Sequence, residues 1–134
     1  MNSSTDLREL FLSGDGRLAR SPFWIAAGFL LSLAILYEAV AGTTLHLVTG
    51  WVVYPALLYC AACVLSKRLH DRGRSGWYAA PVLAALIAIW DPPLRFTDFI
   101  FAIVLVWATV ELAVLRGEIG ANRFGPSPIR VPVV

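Results

Sequence analysis

The residues able to do chemistry gather in three short polar segments. The richest reads Lys67-Arg68-Leu69-His70-Asp71-Arg72-Gly73-Arg74-Ser75-Gly76-Trp77. Four cations, a histidine and two glycines stand ahead of an apolar run that Ser75 can cap. A helix start offers free N–H groups and about half a positive charge, which together suit a phosphate or carboxylate. A second segment, Gly14-Asp15-Gly16-Arg17-Leu18-Ala19-Arg20-Ser21-Pro22, also precedes an apolar run, with Ser21 as N-cap and Pro22 at the first helical position. A third, Arg116 to Pro126, follows the last apolar run. There Gly117 suits a helix C-cap, Asn122 can bond backbone groups and Arg123 can reach headgroups. The chemistry these types suggest is anion recognition.

Other combinations carry less. His70 and Asp71 are adjacent, so on a helix they point about 100° apart and cannot bond to each other as triad members do. A structural pairing is expected instead, with Asp71 orienting Arg68 or Arg74 and His70 donating to a loop carbonyl. The chain's two histidines, His46 and His70, fall on opposite sides of the apolar runs, and no His/Cys cluster has metal-ligand spacing. Cys60 and Cys63 match C-x-x-C but lie mid-run, where cysteine behaves as a small hydrophobe. Glu38 and Glu111 interrupt apolar runs, and ionisable groups at such depth are functional candidates by default. Glu111 is expected to pair with an arginine of the central segment; Glu38 has only Arg95 or His46 within prospect.

The elements that must position these groups follow from composition. Of 134 residues, 58% are hydrophobic and 15% charged, against about 45–50% and 25% in soluble domains. That excess excludes a water-soluble globular domain, a disordered chain and a secreted disulfide scaffold. The runs are apolar all round, which fits lipid-buried helices and not the period-two strands of a barrel. An all-α integral membrane protein is therefore expected, one domain with four transmembrane helices at about 22–41, 48–66, 77–90 and 99–115. Ala41-Gly42-Thr43-Thr44 makes the first reversal and Asp91-Pro92-Pro93 stops the third span, which is short. The polar loop is 67–76 and a proline-punctuated tail occupies 116–134. Ahead of the first span, Leu7, Leu10 and Phe11 recur at helical spacing after Ser4-Thr5-Asp6, predicting a short interfacial helix ended by Gly14 and Gly16. The first span is expected to be retained, not cleaved as a signal peptide.

The formal charge is +2, but its placement between apolar runs argues for juxtamembrane cations and against nucleic acid. Basic short loops stay in the cytoplasm. With both termini cytoplasmic, ten of the eleven basic residues lie inside and only Arg95 faces out. Trp24, Trp51, Tyr54, Trp77 and Trp90 are expected near span ends.

Three segments, G-R-L-A-R-S-P-F-W at 16–24, K-R-L-H-D-R-G-R-S-G-W-Y at 67–78 and G-A-N-R-F-G-P-S-P at 120–128, resemble the bacterial inner-membrane family catalogued as domain of unknown function 805. The resemblance spans nearly the whole chain. It implies a small multi-span inner-membrane protein and no activity, and the cysteine pair is no part of its pattern.

These observations lead to one expectation: the polar segments converge on a cytoplasmic cap that engages an anionic lipid or lipid-carrier headgroup, in a binding or transport-associated role. Arg17, Arg20, Arg68, Arg72 and Arg123 supply charge, and Ser75 and Gly76 the helix-end N–H site. His70, Asp71, Glu111 and Asn122 hold the cap together. Membrane lipids are the expected partners, with no cofactor. The rival reading is a non-catalytic scaffold assembling with itself or other membrane proteins through small residues such as Ala79, Ala80 and Ala84. An enzyme using His70 as acid or base lacks a nucleophile or metal set.

Overall fold

The computed structural model describes residues 3–90 and 95–128. The Asp91-Pro92-Pro93 stop, Arg130 and Pro132 lie outside the described residues, as do the side chains of Ser4, Thr5 and Asp6. Among the described residues there is no strand, only one isolated bridge between Asn122 and Gly125. Helix α1 spans Ser3–Leu12, α2 Arg20–Val40 and α3 Thr43–Asp71. Helix α4 spans Gly76–Trp90, opening with the 3-10 turn Gly76–Tyr78; α5 spans Phe96–Val114, closing with the wide π-type turn Thr109–Val114.

Large apolar side chains stand exposed along these helices, among them Ile25, Leu36, Val52, Phe99 and Ile103. A helix apolar on every face satisfies its backbone internally and needs no water, as lipid requires. Helices α2, α3 and α5 are long and apolar enough to cross a membrane. Helix α4, a 3-residue turn plus 12 residues, reaches only about 22 Å.

Helices α2 and α3 form one hairpin and α4 and α5 a second, with α3 also against α4 and α1 against α3. Among the described residues, the backbone of helix α2 comes close to the second hairpin at the turn Thr109–Val114. The core accordingly sits at one end, here the cap end, where Leu18, Phe23, Val64, Leu69, Val82 and Leu112 are buried together. A cleft of about 690 Å3 runs between the hairpins, lined from Phe23, Val64 and Leu112 beside the core to Glu38 and Trp90 toward the far end, where α2 turns into α3.

Several boundaries differ from expectation. Helix α2 begins at Arg20 with Ala19 as N-cap and no side-chain cap, so Ser21 does not cap it and Pro22 is its third residue. Pro22 costs nothing there, because first-turn N–H groups lack intrahelical partners. The reversal is only Ala41 and Gly42: Thr43 and Thr44 enter α3, and His46 N–H donates to Gly42 O at 3.0 Å. At its other end α3 runs through Asp71, so residues 67–71 of the expected loop are helix. Tertiary partners hold that polar turn, as described below. The longer α3 places Trp51 and Tyr54 two to three turns from its start, not at a span end. Helix α5 stops at Val114 with Leu115 as C-cap, so Gly117 is not the cap. Its start is closed by a reciprocal pair, Asp98 accepting from Arg95 N–H and donating its own N–H to Arg95 O at 2.9 Å.

The expected N-terminal helix is α1. Its Leu10 and Phe11 pack on the core, Phe11 stands 5.9 Å from the Phe29 ring, and Tyr59 donates to Leu12 O at 3.0 Å.

Candidate functional site

The last turn of α3 carries Arg68 and Asp71 three residues apart on one face, and both are buried. A carboxylate so placed needs cations and a guanidinium needs several acceptors. Asp71 accepts from Arg68 Nη1 through Oδ2, and from Arg17 Nε at 3.1 Å and Nη2 at 3.0 Å through Oδ1. The side chains of Arg17 and Asp71 are each 1% exposed. Arg17 also donates to Glu118 O at 2.6 Å and Gly120 O at 2.6 Å, tying the tail to the segment before α2.

A helix end leaves carbonyls without intrahelical donors. At the end of α5, five successive carbonyls take donors from other elements. Arg68 Nε reaches Leu112 O at 2.7 Å and its Nη2 Leu115 O at 2.6 Å. Trp24 Nε1 reaches Ala113 O at 3.1 Å, Arg20 Nη1 reaches Val114 O at 2.9 Å, and Arg72 Nη1 donates to Arg116 O. Cations also suit the negative pole of the helix. Arg17 and Arg68 are thus spent inside the protein.

Glu111, on the π turn of α5, accepts from Arg74 Nε at 2.8 Å and Arg72 Nε at 3.3 Å. The bond and charge of Glu111 hold the Arg74 guanidinium more firmly protonated than usual. Arg74 also lies over the Trp107 ring at 5.7 Å. Each carboxylate buried in this cap, Asp71 and Glu111, therefore serves two arginines and neutralises one. Around this interior, Arg20, Arg116 and Arg123 are exposed and the Arg74 side chain is 42% exposed.

The remaining segments close over α3. His70 Nδ1 is 3.1 Å from Gly16 O, its ring stacks on Phe124 at 3.9 Å, and its Nε2 is 3.4 Å from Ser66 Oγ. Asn122 donates to His70 O at 2.9 Å and to Glu118 Oε2 at 2.8 Å, while its Oδ1 accepts from Phe124 N–H at 3.0 Å. Arg123 lies over Phe124 at 4.6 Å and donates to Gly73 O at 3.4 Å. Ser75 accepts from Trp77 N–H at 3.5 Å. Gly76, expected as an anion donor, leaves room instead: a Cβ there would collide with Ser66 Oγ and meet His70 Nε2 at 3.1 Å. Gly117 does the same for Asp71, whose carboxylate occupies the space of a Cβ.

The structure thus brings together the three polar segments, and places Asp71 with Arg68 and Arg17, not with Arg74. Sequence reading missed Ser66, one turn before His70, whose signal was the four-residue spacing alone. Lys67, read only as one of the four cations of the central segment, is buried and donates to Glu9 O of α1. Cys60 and Cys63 are free thiols on α3. No group of three His, Cys, Asp or Glu among the described residues is placed to hold a metal. Of the small residues of α4, Ala79 is buried, while Ala80 and Ala84 face outward. Glu38 lies at the far end, away from all of these.

A family model for a protein of unknown function, DUF805, matches residues 11–126, which take in all three polar segments. The chain is 28% identical over 130 residues to the uncharacterised protein YiiR of Escherichia coli K12, covering 89% of this chain and 88% of that protein. Its similarity to YiiR of Escherichia coli O157:H7 is the same. No solved structure matches.

Proposed function

The chain belongs to this family of unknown function, DUF805, and from that premise we propose that it is a non-catalytic bacterial inner-membrane protein whose cytoplasmic cap binds an anionic lipid or lipid-carrier headgroup. In this reading α2, α3, α4 and α5 all cross the membrane, with both termini inside. Every described basic residue except Arg95 lies at the cap end, which supports that orientation. Helix α4 is short for a crossing, so the bilayer thins or the helix draws flanking residues into the interface.

One observation carries the headgroup reading: the two carboxylates buried in the cap, Asp71 and Glu111, are each shared between two arginines, leaving surplus positive charge beside the exposed edge of Arg74. A phosphate bridging Arg72 and Arg74 would complete the balance, with Arg20, Arg116 and Arg123 on the rim. Arg17 and Arg68 take a supporting part, fixing the cap and not touching the ligand. The test is lipid retained by purified protein, weighed by native mass spectrometry across a salt series. Wild type should keep anionic lipid over zwitterionic lipid of equal chains, and Arg74→Gln with Arg123→Gln should lose that preference. Equal retention in wild type and double variant would leave topology as the only role of these charges and favour the scaffold reading, for which Ala80 and Ala84 offer an outward face on α4.

A further inference from the structure

The cleft between the hairpins follows one face of α2, from Phe23 through Ala27, Leu30 and Ala34 to Glu38. Its ends on that helix are fifteen residues apart, so it is about 22 Å long. One leaflet is half of a hydrocarbon core roughly 30 Å thick. A cleft that starts one turn from Arg20 at the cap therefore passes the bilayer midplane in the placement proposed above. Among the described residues, the backbone of α2 approaches the second hairpin at Thr109–Val114 and not along Ala79–Trp90 or Phe96–Ala108. Leu31, Leu86 and Ile87 line the cleft and are exposed. It is thus closed at the cap end and open sideways, toward lipid.

Its polar groups are mostly spent inside the protein. Tyr54 gives its hydroxyl proton to Glu38 Oε1, and His46 Nε2 stands 3.8 Å from Glu38 Oε2. Thr109 donates to Leu105 O at 2.8 Å and Trp24 Nε1 to Ala113 O at 3.1 Å. The rest of the lining is aliphatic or aromatic, which suits hydrocarbon.

Size decides which hydrocarbon. Spread over that length, a volume of about 690 Å3 gives a bore about 6 Å wide. A helix with its side chains is about 10–12 Å across, so neither a second copy of this chain nor another span fits inside. Carbons of packed chains stand about 4 Å apart. Two acyl chains side by side are too wide, and one straight chain leaves a void along its length. Methyl branches fill that void and regain the contacts it would forfeit.

The cap-end mouth lies one turn from Arg20, which donates to Val114 O at 2.9 Å, while Arg72 donates to Arg116 O. Those carbonyls flank the extended residue Leu115 and are about 7 Å apart. A headgroup leaving the cleft past Arg20 thereby reaches Arg72 and Arg74. We propose that the ligand of the cap is a polyprenyl phosphate, its single methyl-branched chain, longer than one leaflet, lying in the cleft. The phosphate rests on the headgroup reading above; the chain rests on the cleft.

The test uses full-length protein in mixed micelles holding equal amounts of a long polyprenyl phosphate, farnesyl phosphate, whose chain ends within one leaflet, and a straight alkyl phosphate as long as the first. A parallel set holds the three free alcohols. Retention is read by native mass spectrometry. Wild type should keep the long polyprenyl lipid over each of the others by about tenfold in both sets. Ala34→Phe, which narrows the deep half of the cleft, should bring the long-to-short ratio to about one, and Ile35→Phe, at the same depth outside the cleft, should leave it unchanged. Arg74→Gln with Arg123→Gln should lower all three phosphates together and keep the ratio. Phosphates held no better than alcohols by wild type would defeat the headgroup reading, and the phosphate assignment with it, while the alcohols still judge the chain. Equal retention of long and short chains in both sets overturns the proposal, as does equal retention of straight and branched chains. A ratio that survives Ala34→Phe, or a second copy of the chain bound in place of lipid, overturns it too.

Discussion

Replacing Asp71 by alanine removes the carboxylate on which two buried guanidiniums converge. Arg68 is 0% exposed and the Arg17 side chain 1%, so neither can reach water by a small movement. Breaking a buried pair on one side costs about 3–5 kcal/mol, and here two cations are left facing each other across the vacated space. Arg116→Ala, at an exposed position, should stay within about 0.5 kcal/mol. The assay is equilibrium unfolding by sodium dodecyl sulfate in mixed micelles, followed by tryptophan fluorescence. Removing Arg17 as well should recover part of the loss, because one uncompensated charge goes with it; the coupling between the two sites should be about 0.5–3 kcal/mol. Arg68→Lys should not substitute, since an ammonium cannot reach Leu112 O, Leu115 O and Asp71 together as the guanidinium fork does. A cost below about 1 kcal/mol for Asp71→Ala, or strictly additive losses with Arg17→Ala, would refute the idea that this triad holds the cap.

Gly117→Ala should destabilise the protein even though it adds one methyl group, because the Asp71 carboxylate occupies that space; unchanged unfolding in the same assay would count against the observed approach. Replacing Cys60 and Cys63 together by alanine should leave folding nearly intact, and a collapse of the fold or loss of cellular phenotype would show that the thiols do more than pack. Cysteines placed at 72 and 123 of that variant should resist an impermeant thiol reagent added from the periplasmic side, while one at 95 should react. Labelling at 72 from outside would end the orientation proposed above.

The helices were legible in the sequence because long runs without charge leave a coarse mark. Their ends were less so. Residues 67–71 look like a loop by polarity, yet they stay helical because Arg68, His70 and Asp71 find partners on the Gly16–Leu18 segment, α5 and the tail. The convergence of the three polar segments followed from topology alone, and so did the pairing of Glu111 with arginines. What each arginine does was not legible: charge and spacing cannot say that Arg68 caps α5, since that depends on how α5 ends in a π turn beside α3. The contact of Glu38 with Tyr54 was hidden for a similar reason. It is set by the register of α2 against α3, and that register shifted when α3 began at Thr43 instead of near residue 48.

What meets the outer edges of Arg72 and Arg74 decides whether the cap holds a headgroup. The direct measurement is a density map of the full-length protein in nanodiscs of anionic lipid, resolved well enough to show a phosphate. Density should bridge those two guanidiniums at the cytoplasmic surface and be absent in nanodiscs of zwitterionic lipid. Guanidiniums that touch only Glu111 and Arg116 O in both preparations, with no density on the rim, would contradict the headgroup reading.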